Sequence, residues 1–271
     1  MTPEWFAEAR RTLSQRLITA LARLFLGLGN WRNSDADLFV AQAVPLVHGA
    51  QRLLAALISN HIAGQATTEL GWPVAPPGVP DIAAVNLRHG VDADVVYRRP
   101  FTSLYTALAH GQTLGDAVAA GRLRLEQIAE ADLQQTHAHA TQAAMRALPP
   151  EARARYWKRV LVGDESCALC VVASTNQYSL GELNPIHPGC DCDVQAVFSR
   201  GDDTAHAEKE SALLERVHAA VEELTGQADR GGRTPDYRHL LVDMTAVHGE
   251  LGPLLVRPHH RFTGPHDLPA S

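Results

Sequence analysis

The sequence predicts a mainly α-helical protein, with a helical N-terminal part and a small α+β module towards the C-terminus. Three observations lead there. Apolar residues in the first half recur every three to four positions, the period of an amphipathic helix. Pro149 and Pro150 close the last long helical block, and a β-prone segment follows. Finally, all four cysteines stand between Cys167 and Cys192, which marks a locally constrained module.

From Glu4 to Leu28 the apolar positions Phe6, Leu13, Leu17, Leu21, Leu24 and Leu28 predict a first helix, stopped by Gly29 and Asn30. A second helix is expected from Ser34, where Ser34 and Asp37 have capping-box spacing, towards Ile62. Pro45 is expected to kink or shorten it. Gly71 to Pro80 holds Trp72, four prolines and two glycines and reads as a rigid loop. Short helices are expected around Asp81 to Leu87 and Phe101 to His110, then a long block from Leu114 to Ala147 interrupted at Gly121. A brief polar helix from Glu151 to Arg159 should lead into a strand at Val160 to Val162. Beyond the cysteines, Leu213, Leu214, Val217, Val221 and Leu224 give one apolar face to a charged helix from Ala205 to Ala228. Leu240 to Val247 and Leu254 to Arg257 read as strands flanking a turn at Gly249 to Pro253. The expected organisation is a helical domain over 1–150, the Cys/His module over 151–204, a helix and linker over 205–235 and a short β tail over 236–271.

With 271 residues, 45% hydrophobic and 20% charged, the chain can bury a core without disulfide staples. No apolar run reaches the roughly 18 residues of a membrane span, because Arg10, Arg11, Arg16 and Arg23 interrupt the first candidate. The same segment, with Glu4 and Glu8 near its start, is not expected to act as a secretion signal. A net charge of −6 argues against a surface that coats nucleic acid and leaves room only for local DNA contact.

The cysteines read Cys167-Ala-Leu-Cys170, followed at a distance by His187-Pro-Gly-Cys190-Asp-Cys192. A C-x-x-C pair lets two thiolates reach one ion, and a second cluster about 15 to 20 residues on completes a tetrahedron around zinc. Pro185, Pro188 and Gly189 supply the tight bends that aim His187, Cys190 and Cys192 at one point. Five candidates, Cys167, Cys170, His187, Cys190 and Cys192, compete for four positions of one structural zinc ion, and spacing does not choose among them. Two disulfides, or thiols without metal, are the alternatives.

Catalytic readings fit less well. A zinc deaminase would need H-x-E before P-C-x-x-C, whereas His206-Ala-Glu208 follows the cysteines. A thioredoxin-like site would need a βαβ unit around Cys167. His137 and His139, two apart on a helix, face different directions, and His259 and His260 fall in the tail, so neither pair is read as a ligand pair. The enzyme reading kept as the alternative is a zinc-knuckle nuclease or toxin-like enzyme, in which His187 with Asp191 or Asp193 would act on phosphodiesters.

The run Arg159-Val-Leu-Val-Gly163, Cys167-Ala-Leu-Cys170, Ala173-Ser-Thr, Tyr178 and Pro185-Ile-His-Pro-Gly-Cys-Asp-Cys192 resembles the cysteine knuckle of MuF-like phage head proteins of actinobacterial phages and prophages. Asp35 to Ala56, Tyr97 to Ala107, and His248-Gly-Glu-Leu-Gly252 with Phe262-Thr-Gly264 extend the resemblance along the chain. It implies a minor capsid or head morphogenesis protein that assists assembly, DNA packaging or delivery. Its partners would be portal and capsid proteins, with an oligomer in the virion and residence in the host cytoplasm during assembly. No catalytic residue is carried over, so the expectation is a structural protein and not an enzyme.

Overall fold

The computed structural model describes residues 2–82, 87–88, 90–161, 165–180, 192–198, 214–215, 217–219, 222, 241–243 and 254–256; at 3–4, 165–169, 241–243 and 254–256 it describes the backbone alone. The protein is mainly helical, and its described residues divide into two compact units, the first within Met1–Arg153 and the second from Ala154 onward.

In the first unit, helix α1 (Pro3–Leu26) begins where the Thr2 side chain accepts from the Trp5 backbone N–H at 3.3 Å. A threonine there satisfies one of the donors a helix start leaves open, and Pro3 loses nothing at the first position. Its buried face is Phe6, Ala7, Leu17, Leu21 and Phe25. Helix α2 (Asn33–Leu70) starts earlier than Ser34, because the Asp35 carboxylate, not Asp37, accepts from the Arg32 backbone N–H at 2.9 Å. Asp37 instead pairs with Arg98. The helix runs through Pro45 to Leu70, where Gly71 takes the left-handed φ of 77° that ends it. Pro45 does not end it because Pro45 and Ala41 both lie on the exposed side, so water can take the carbonyl that proline leaves without a donor.

Helix α3 (Ala93–Ala109) also contains a proline, Pro100. The expected start at Phe101 is therefore wrong by two turns: Val96, Tyr97, Phe101 and Leu104 form one buried stripe across Pro100, and their burial outweighs the hydrogen bond the proline forfeits. Helix α4 (Leu114–Ala147) is continuous through Gly121, contrary to the expected interruption. A Cβ at Gly121 would lie 2.8 Å from the Phe25 ring and 2.9 Å from the Pro100 carbonyl oxygen. Glycine stands there because α1 and α3 approach that point of α4, not because the chain turns. The helix ends at Leu148, whose extended backbone is what a residue before proline prefers.

Helix α4 contacts each of α1, α2 and α3. Between them Phe25, Phe39 and Phe101 meet edge to face, with ring centroids 5.3 to 5.8 Å apart, the arrangement that ring quadrupoles favour.

In the second unit the expected helix over Glu151–Arg159 is absent. A 3₁₀ turn at Pro150–Ala152, still in the first unit, is followed by strand β1 (Tyr156–Val160). Trp157 and Arg159 are buried while Tyr156, Lys158 and Val160 are half-buried, which is the period-two pattern of a strand. Strand β2 (Glu165–Cys167) runs into helix α5 (Ala168–Ser174), then β3 (Gln177–Ser179), β4 (Asp193–Val197), β5 (Leu241–Asp243) and β6 (Leu254–Val256). Two antiparallel sheets result, ordered β3-β1-β4 and β2-β5-β6. Within the charged segment expected to be helical, residues 214–215, 217–219 and 222 are helical and Val217 is buried. No helix among the described residues is long and apolar enough to cross a membrane.

Candidate metal centre

The register of the β3-β1-β4 sheet decides which side chains meet. Trp157 stands opposite Tyr178 on β3 and Ala196 on β4, and Arg159 stands opposite Val194. Trp157 and Arg159 share a face because they are two apart, and Cys192 precedes Val194 by the same interval. The consequence is a direct contact: Arg159 Nη1 donates to Cys192 Sγ at 3.1 Å.

Ring and hydrogen-bond contacts surround that pair. The Arg159 guanidinium sits 5.4 Å from the centroid of the Trp157 ring, close enough for a cation–π attraction of about 2 kcal/mol when desolvated. The Trp157 and Tyr178 rings stack at 4.4 Å with 20° between their planes. Trp157 Nε1 donates to the Ser179 carbonyl at 2.8 Å, and the Tyr178 hydroxyl donates to the Ala173 carbonyl of α5 at 2.9 Å. Burial pushes the Tyr178 hydroxyl above its ordinary range and the Cys192 sulfur adds to this, while the Arg159 guanidinium and an Asn176 hydrogen bond act the other way. The hydroxyl therefore stays protonated and keeps α5 tied to β3.

Of the five expected ligands, Cys167 is the last residue of β2, with its backbone opposite Leu241, and Cys170 is in the first turn of α5. The C-x-x-C pair thus spans a strand-to-helix junction. Cys170 and Cys192 are both buried in the same unit. His187 and Cys190, together with Asp191, lie outside the described residues. Among the described residues no group of three or more His, Cys, Asp or Glu side chains is placed to hold a metal ion; the described side chains include two of the five candidates, Cys170 and Cys192. Cys170 and Cys192 are water-excluded sulfurs, the kind of donor zinc takes, and Cys192 lies beside a cation that can offset thiolate charge.

Sequence reasoning missed the Trp157–Arg159 pair, because a helix was assigned to Glu151–Arg159 and hid the alternation of Trp157, Arg159 and Leu161. It also missed a buried ionic cluster in the helical unit. Asp132 on α4 accepts from Arg88 at 2.5 Å and from the Tyr97 hydroxyl at 2.9 Å. Burial first, and the Asp132 charge second, push the Tyr97 hydroxyl well above its ordinary range, so Tyr97 serves as a donor only. A signal was present: Leu125, Ile128, Asp132 and Leu133 have the spacing of one helical face, so Asp132 falls in an apolar stripe.

Two histidines of this unit, His61 and His137, pack against the Phe6 ring. Phe6 stacks on His61 at 4.1 Å, with His137 at 6.0 Å from the same ring. His137 is buried and His139 half-buried, while His259 and His260 lie outside the described residues.

Comparison of the chain with protein-family models, with curated proteins and with solved structures gives no match.

Proposed function

We propose that this protein is a structural component of a phage or prophage head, a minor capsid protein of the MuF-like type, and that a single zinc ion closes its C-terminal unit. The observation that carries the reading is the Cys167-x-x-Cys170 and His187-Pro-Gly-Cys190-Asp-Cys192 pattern, together with the burial of Cys170 and Cys192 within one unit. Four of the five candidates would fill a tetrahedral site and leave no open position, the condition for a structural rather than a catalytic ion. The metal would hold β2, α5 and the approach to β4 together.

The helical unit supports a docking role. Leu38, Leu46 and Leu53 on α2 are 52%, 43% and 60% exposed, and seven- and eight-residue spacings place them on one side of the helix. In this reading that face meets portal or capsid protein, and any contact with packaged DNA is local. The burial of Asp193 at 3% exposure, with its carboxylate accepting from the Val194 backbone N–H at 2.7 Å, counts against its use as the water-activating acid of a nuclease.

The test has two parts. Elemental analysis of the untagged chain should give one zinc per chain, lost in Cys167→Ser and Cys190→Ser. Expression beside the portal gene from the same neighbourhood should yield a complex that survives gel filtration and is broken by Leu46→Asp with Leu53→Asp. Zinc-dependent cleavage of plasmid DNA, abolished in a folded His187→Ala variant, would replace this reading with the nuclease.

A further inference from the structure

Burying an arginine requires a reason. Its guanidinium stays charged at every accessible pH, and moving a charge out of water costs several kcal/mol unless something of opposite sign and good geometry meets it. Arg159 is 8% exposed, sits over the Trp157 ring, and donates to the Cys192 sulfur. A zinc ion bound by three or four thiolates carries net negative charge, which a buried site must also offset.

We propose that Arg159 is the positioning residue of the metal centre: it holds the Cys192 sulfur in ligand orientation and offsets the charge of the thiolate set, and so governs how tightly zinc is held. This rests on the zinc reading above. Three features of the fold make the assignment. The β1–β4 register sets Arg159 opposite Val194, two residues beyond Cys192. The Trp157–Tyr178 stack, tied by Trp157 Nε1 to Ser179 and by the Tyr178 hydroxyl to Ala173, forms a rigid platform under the guanidinium. The planar guanidinium combines a fixed donor direction with ring stacking, which a lysine ammonium cannot reproduce.

The full chain, loaded with zinc, is titrated against a chromogenic zinc chelator as wild type, Arg159→Gln and Arg159→Lys, and the same three proteins are loaded with cobalt(II) for absorption spectra. Loss of a group that orients a metal ligand weakens binding about 10- to 100-fold, so Arg159→Gln should fall in that range, with Arg159→Lys recovering part of the loss. The thiolate-to-cobalt charge-transfer band should also move in Arg159→Gln, because a donor has been removed from one sulfur. Affinity within about twofold of wild type in Arg159→Gln would overturn the assignment. Weaker binding with an unmoved band would overturn it too, and would make Arg159 part of the fold alone. Should Arg159→Gln fail to fold, Arg159→Lys decides by the same two readouts. A wild type that binds no zinc removes the zinc reading itself, and this inference with it, whereas zinc-replete wild type with an indifferent Arg159 removes only the inference.

Discussion

The helical unit and the C-terminal unit solve the same problem by different means. In the first, helices of 17 to 38 residues carry long apolar stripes, and the interior holds Phe6, Leu21, Phe25, Phe39, Leu54, Ile58, Tyr97, Leu104 and Leu125, all fully buried. Each such side chain contributes about 1.5–3 kcal/mol on burial. In the second, the described strands are three to five residues long, and its largest described buried groups are Trp157, Arg159 and Phe198. In the zinc reading, the ion supplies a tie that these short strands do not. One chain, in the zinc reading proposed above, holds a self-sufficient helical core beside a unit whose folding is coupled to an ion.

The largest effect that would break this contrast is removal of the metal. Cys170→Ser or Cys192→Ser should cost the C-terminal unit on the order of 10 kcal/mol of metal-coupled folding energy, while helical circular dichroism changes little. Of the four tryptophans, Trp5, Trp31 and Trp72 precede the unit boundary and only Trp157 follows it. Fluorescence of a chain in which those three are phenylalanine therefore reports on the second unit alone.

In the helical unit the largest single loss is expected from Asp132→Ala. Removing one partner of a buried ion pair costs about 3–5 kcal/mol, and here both Arg88 and the Tyr97 hydroxyl lose their acceptor. Thermal unfolding followed at the helical signal should shift down with zinc content unchanged; equal loss of zinc would show that the two units are not separately stabilised. Gly121→Ala comes next, at about 1–3 kcal/mol, because the added methyl overpacks against the Phe25 ring and the fixed Pro100 carbonyl. A neutral result in urea unfolding would mean that α1 and α3 can move apart at no cost.

The smallest effect concerns Glu130. Burial first, and the Glu126 charge one turn away second, raise its carboxyl above the ordinary range. Folding thus favours the protonated form, whose stabilising contribution is complete below the ordinary carboxyl range and is lost as pH rises through the raised folded value. Glu130→Gln should therefore stabilise the helical unit at neutral pH by about 0.2–0.5 kcal/mol, the cost of like charges at that spacing on a solvent-screened surface, and should bring no gain at pH 3. Melting curves at the two pH values check the sign.

The helices were legible because a buried helical face writes its period into the sequence, and that signal outweighed Pro45, Pro100 and Gly121. Pro45 and Gly121 misled as helix breakers: Pro45 faces water, and Gly121 answers a close approach that only the packed structure shows; Pro100, inside α3, sits within a stripe of buried residues. The β1 strand was misplaced because Glu151 to Lys158 is rich in polar helix formers, whereas the buried alternation of Trp157 and Arg159 depends on strands β3 and β4 from later in the chain. For the candidate centre, spacing alone named the sulfurs. Arg159 could not be singled out by the same route, since a contact between β1 and the residue before β4 is fixed by register, a long-range property.

Hydrogen–deuterium exchange on the full chain, with and without a zinc chelator, compares the two units in one experiment. Chelation should strip protection from peptides covering Tyr156–Ser179 and Cys192–Phe198 and leave those of α1 to α4 unchanged. Unchanged protection throughout, or equal loss in α2 and α4, would contradict the division of the protein into an ion-dependent unit and a self-sufficient helical one.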